Sequence, residues 1–125
     1  MGNNALYGTE TGFAISSTYS GVTYNVINGG TISTTGTTTV NFGITDIYKA
    51  SITGGSVTGI TFDFTNIVVG KTVSMVITSD GSTACVFNAT SCKTFGAYNA
   101  TKTNAISVLC ISLLNPKFWV AIANT

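Results

Sequence analysis

The chain predicts an all-β fold: an antiparallel β-sandwich, jelly-roll-like, with an extended N-terminal arm. Three observations lead there. β-branched residues abound, Thr alone supplying 23 of 125 residues, while helix formers are scarce. Short apolar stretches alternate with polar neighbours at period two. From Ile44 onward, turn signals recur every eight to twelve residues. At 12.9 kDa there is room for one compact domain and little more.

The first 43 residues space their apolar side chains widely among Thr, Ser and Gly. Val22-Thr23-Tyr24-Asn25-Val26 alternates cleanly as a strand, and Asn28-Gly29-Gly30 predicts a turn. Thr31 to Thr39 holds one large apolar residue, Ile32, and buries little to offset its ordering entropy. Residues 1–43 therefore read as an anchoring arm and 44–125 as the sandwich. Within the latter, 44–48 is a strand broken at Gly54-Gly55. Ile60, Phe62 and Phe64 share one face of the next, with Thr61, Asp63 and Thr65 opposite. Val69-Gly70-Lys71 turns the chain into Thr72 to Thr78, and Asp80-Gly81 predicts a hairpin to Thr83–Phe87. Lys93 to Tyr98 is a weaker strand. Asn104 to Leu114, apolar on both faces, is expected at the centre of a sheet, and Asn115-Pro116-Lys117 turns it into a closing strand, Phe118 to Ala123. No fixed period of 20 to 50 residues is visible.

Composition excludes several functions. Charged residues are 7% of the chain: five Lys, no Arg, one Glu, three Asp and no His. Without His, the commonest general base and metal ligand are missing. A net charge of +1 gives no footprint for a phosphate backbone, so nucleic acid is not an expected partner. The longest apolar-rich run, Ala105 to Leu114, is half of what a bilayer requires, and the start of the chain lacks a secretory pattern, so no membrane is expected either. The mean hydropathy of +0.42 instead suggests surface buried between subunits.

Chemistry is hard to assemble from the rest. Asp46 and Asp63 lie on strands and would form a glycosidase-like carboxylate pair if they met; the plainer reading puts both on solvent faces. With Asp80 they lack the close spacing of a calcium loop. Cys85 and Cys92 flank six residues and would bridge a hairpin, whereas buried free thiols are the simpler expectation. No cofactor is expected. Tyr98 and Trp119 offer rings for stacking on sugars, and the loops at Asn88–Ser91 and Ala97–Thr103 offer amides and hydroxyls. Asn88, Thr90, Tyr98, Asn99 and Trp119 are therefore the candidate ligand or partner contacts, set against ordinary packing and hairpin tips.

From Gly59 to the C-terminus runs a succession of Ile60-Thr61-Phe62-Asp63-Phe64-Thr65-Asn66, then Val69-Gly70-Lys71 into Thr72–Thr78, then Asp80-Gly81-Ser82, Asn104–Leu109 and Phe118-Trp119-Val120. This resembles the small β-sandwich domains of tailed-bacteriophage head-fibre, decoration and tail-fibre proteins. The resemblance covers about 65 residues. A Trp-Pro or Pro-Gly-Gly loop frequent in that family is missing between Asn88 and Lys93. The resemblance implies a non-enzymatic virion structural protein: a homotrimer on the particle surface, held by its arm to capsid or other virion proteins. Its alternatives are a tail-fibre tip that binds a receptor or host-surface glycan, and a minor capsid or vertex protein.

Overall fold

Alternation at period two puts one side of each strand into a core, but it does not say in which direction the neighbouring strand runs. The computed structural model describes residues 4–5, 14–19, 22–33, 35–53 and 59–125, with side chains described from Tyr24 onward. Its strands are β1 (Asn4–Ala5), β2 (Ala14–Tyr19), β3 (Val22–Ile32), β4 (Gly36–Asn41), β5 (Ile47–Ile52), β6 (Ile60–Thr65), β7 (Thr72–Thr78), β8 (Cys85–Phe87), β9 (Cys92–Phe95), β10 (Thr103–Cys110) and β11 (Phe118–Asn124), with a 3-10 turn at Phe42–Ile44. A long sheet runs β1-β2-β3-β5-β7-β10-β11-β9, and a short one runs β4-β6-β8.

The centre of both sheets is parallel. β3, β5 and β7 stack in one, and β4, β6 and β8 in the other. The chain passes from one sheet to the other and returns one rung further on. Gly36 lies beside Ile60 and Ile60 beside Cys85, advances of 24 and 25 residues. In the long sheet Val26 lies beside Ile47 and Ile47 beside Ser74, advances of 21 and 27. This is a β-solenoid of about four turns, including its cap. The cap is antiparallel: β10 pairs with β7, β11 with β10, and β9 then lies parallel to β11.

The expected antiparallel sandwich and jelly roll are thus overturned by parallel pairing. The coils differ in length by up to six residues, which hides a repeat that the sequence does not display at fixed spacing. Asp80-Gly81 does not close a hairpin, because β7 and β8 belong to different sheets. Asn28-Gly29-Gly30 is no turn either; it is a bulge inside β3, where the register to β5 shifts. A Cβ on Gly29 would overlap the Tyr48 hydroxyl, so the bare backbone leaves room for that ring. The division expected at residue 43 runs through the 3-10 turn, and β3 and β4 on its near side pair with β5 and β6 on its far side. Most of residues 1–21 lie outside the described residues.

Parallel register stacks like on like. In the short sheet Phe62 lies on Phe87, with centroids 5.6 Å apart, and Tyr48 of the long sheet meets Phe62 edge-on at 6.3 Å. Phe42, Phe64 and Phe118 form a second cluster, with Phe118 5.0 Å from Phe64 and 5.3 Å from Phe42. Phe118 opens β11, so the cap and the solenoid share one core.

Candidate functional site

The turns that lead from the short sheet back to the long one stack along one corner. The first is the 3-10 turn with Thr45 and Asp46, and the second is 66–71, where Asn66 adopts a left-handed conformation at φ 53°. The 111–117 loop lies beside them, since Gly70 N–H donates to the Cys110 carbonyl and Cys110 N–H to that of Lys71. Lys71 ties the turns together: its ammonium donates to the Gly43 carbonyl at 3.0 Å, sits 3.6 Å from Asp46 and lies over the Phe42 ring. Asp46 also accepts the Asn25 N–H at 2.7 Å.

On this polar scaffold the turns expose apolar side chains. Ile44, Val68 and Val69 face solvent; Leu113 is 65% and Leu114 78% exposed; Trp119, at the start of β11, is 49% exposed. Trp119 meets Phe95 edge-on at 5.7 Å. Scattered exposed apolar residues are ordinary; here five of them, Ile44, Val68, Val69, Leu113 and Leu114, fall on turns that hydrogen bonds hold beside one another. Burying one such Leu or Val on association releases roughly 1.5–3 kcal/mol before ordering costs. The sequence carried a faint signal in one place: Val68-Val69 is an apolar doublet at the turn expected around Val69-Gly70-Lys71.

The sequence candidates do not converge. Asn88 is consumed locally: its amide donates to Asp63 at 3.2 Å, and its side-chain oxygen accepts the N–H groups of Thr90 and Ser91. Thr90 sits exposed on that turn. Tyr98 turns inward, its hydroxyl donating to Ser79 Oγ at 3.1 Å, and burial pushes its phenol up. Asn99 accepts from the Thr101 N–H and hydroxyl and donates its own N–H to Asn104 Oδ1 at 2.8 Å. Asn104, with 0% exposure, is the residue that holds this loop, also donating to the carbonyls of Asn99 and Lys102. Of the five candidates, only Trp119 presents a large apolar side chain to solvent, on β11 beside Phe95.

Asp46 and Asp63 each keep separate partners, Lys71 and Asn25 for one and Asn88 for the other, so no carboxylate pair is formed. Asp80 binds its own turn: the Thr83 hydroxyl and the N–H groups of Ser82 and Thr83 hold its carboxyl down at about 2. Among the described residues, no group of three His, Cys, Asp or Glu is placed to hold a metal. Cys85, Cys92 and Cys110 are free and buried, and burial pushes the Cys85 thiol up to about 11. No helix among the described residues is long and apolar enough to cross a membrane.

Fold and site together define a capped β-solenoid with an apolar corner. No family model matches the chain, and no curated protein or solved structure matches it either. The likeness to phage β-sandwich domains thus has no matching relative behind it, and its architectural part is the part that parallel pairing overturns.

Proposed function

We propose that this chain is a non-enzymatic structural protein that works by assembly: a homotrimeric module of the virion-surface fibre or decoration kind, its copies joined along the corner stripe. The observation that carries this reading is that Ile44, Val68, Val69, Leu113 and Leu114 are all exposed on turns held beside one another by the Gly70–Cys110 and Lys71–Gly43 hydrogen bonds. Three solenoids that turn this corner inward bury the stripe in a closed assembly and leave the Thr-rich strands to solvent. Anchoring to other virion proteins falls to the N-terminal end of the chain, where β2 and β1 extend the long sheet beyond β3.

Light scattering on the full chain tests the reading. The expected mass is three times 12.9 kDa. Replacing Leu113 and Leu114 together by Ser, in an exposed loop, should return a folded monomer with an unchanged circular dichroism spectrum. A monomeric parent chain at all accessible concentrations would overturn it. A second reading, a glycan-binding tip, is favoured by the exposed Trp119–Phe95 pair; Trp119→Ala should then abolish retention on a glycan array without changing the mass.

A further inference from the structure

At the capped end the long sheet folds back over the core, Phe118 of β11 lying 5.3 Å from Phe42 and 5.0 Å from Phe64. The long sheet continues past β7 by three strands, β10, β11 and β9, while the short sheet ends at β8. Between the two terminal strands lies a groove of about 730 Å³. Ala84 and all of β8, Cys85 to Phe87, line it, as do consecutive residues Cys92 to Thr94 of β9. Side chains of neighbouring strand residues point to opposite faces, so a cavity that touches every residue of a strand runs along its edge.

The ladders show which backbone groups face that groove. The Ile60 N–H donates to the Ala84 carbonyl and the Asn88 N–H to the Phe62 carbonyl. In a parallel pair the bonding residues of one strand alternate, so Ala84, Val86 and Asn88 serve β6. Cys85 and Phe87 then direct their N–H and C=O groups away from β6. By the same alternation, the Phe118 N–H on the Ser91 carbonyl assigns Lys93 to β11 and leaves Thr94 facing outward. The rest of the lining is small or apolar, with Ala89, Ala97 and Ile122, apart from Tyr98, whose hydroxyl is bound to Ser79; Val86 is exposed at the lip. Lys93 is the one charged residue there, and no described side-chain carboxylate lines it.

We infer that this groove accepts an extended, weakly acidic peptide strand of another protein, which pairs with the free edge of β8 as the next rung of the short sheet. Backbone pairing supplies affinity, alternate apolar side chains seat on the lining, and an acidic residue answers Lys93. Both flanks of the groove turn backbone N–H and C=O groups toward it, and of the described residues Lys93 alone carries charge there, which fits one extended, weakly acidic strand between β8 and β9. The surface is distinct from the corner stripe, so it stands or falls independently of trimer formation.

The probe is a blocked peptide with the sequence of residues 59–66, which has alternating Ile and Phe and one Asp, added to the full chain. Amide exchange of the free protein comes first: Cys85, Phe87 and Thr94 should exchange fast while Val86 and Asn88 are protected. Peptide should then protect those three amides, and N-methylation of alternate peptide nitrogens should weaken binding at least tenfold. Lys93→Glu should weaken it about threefold, the scale of an exposed ion pair. Protection of Cys85 and Phe87 in the free protein at all dilutions would overturn the inference. So would protection that grows only with protein concentration, which would make a second copy the occupant. Equal binding of the N-methylated peptide, or no change at these amides, would overturn it as well.

Discussion

The parallel stack of β3 to β8 and the antiparallel cap of β10 and β11 are built from the same alternation of Val, Ile and Phe with Thr and Ser, yet their connections differ in kind. The cap is local: one loop, 111–117, joins strands that pair along their whole length from Cys110–Phe118 to Asn104–Asn124. The stack is non-local, for each rung finds its neighbour only after a full coil of 21 to 27 residues. Local pairing is specified by a turn and its flanking pattern. Coil stacking is specified by what lies across the core. Phe62 beside Phe87 and Phe118 between Phe42 and Phe64 are the contacts that align it.

The largest test asks whether stack and cap are one cooperative unit. Phe62→Ala in the stack and Phe118→Ala in the cap should each cost about 3–5 kcal/mol. Because Phe118 packs on both aromatic neighbours, each should lower a single denaturant transition. Two transitions with Phe118→Ala would show that the cap melts alone.

Asn104→Ala should cost about 2 kcal/mol, because a fully buried amide that bonds the Asn99 N–H and the Asn99 and Lys102 carbonyls is lost. Its effect should be confined to the cap: the Asn99 amide loses exchange protection while β3 to β7 keep theirs. Loss of protection throughout would mean that the 97–103 loop also secures the stack.

Two glycines sharpen the contrast further. Gly29→Ala presses on Tyr48 in the stack, and Gly96→Ala places a side chain at φ 81° against the Ile122 carbonyl in the cap. Each should lose about 1–3 kcal/mol in thermal melts. The Gly96 loss should be the larger, since backbone cannot swing aside as a tyrosine ring can.

The smallest effect belongs to Asp80, at the turn between the sheets. Its carboxyl is held at about 2, below the ordinary 3.8, by the Thr83 hydroxyl and the Ser82 and Thr83 amides. A depressed carboxyl contributes stability that is fully present above 3.8 and lost as pH falls through about 2. Asp80→Asn should therefore melt slightly below the parent at pH 7, with the gap closing toward pH 2. A gap that persists there would assign the effect to packing.

Much of the architecture was legible in the residues. The alternation of Ile60, Phe62 and Phe64, the strand at Thr72–Thr78, the central place of the Asn104 strand and the closing turn at Asn115–Lys117 all read directly from pattern and turn chemistry. The site was less so. Asn88 and Asn99 looked free to bind because a sequence does not show that each amide is spent on its own loop. Leu113 and Leu114 looked like strand core because an apolar run reads the same inside a strand or just past its end.

The sequence by itself determined that this chain is all-β, with strands of known faces and a surface of hydroxyls in place of charges, because strand propensity and period-two alternation are local properties. Only the tertiary structure decided that the strands run parallel, that the chain coils, and that apolar turn residues line up along one corner. Those outcomes depend on which side chains meet across the core after some two dozen intervening residues, and the loop lengths that set that distance vary too much to announce it.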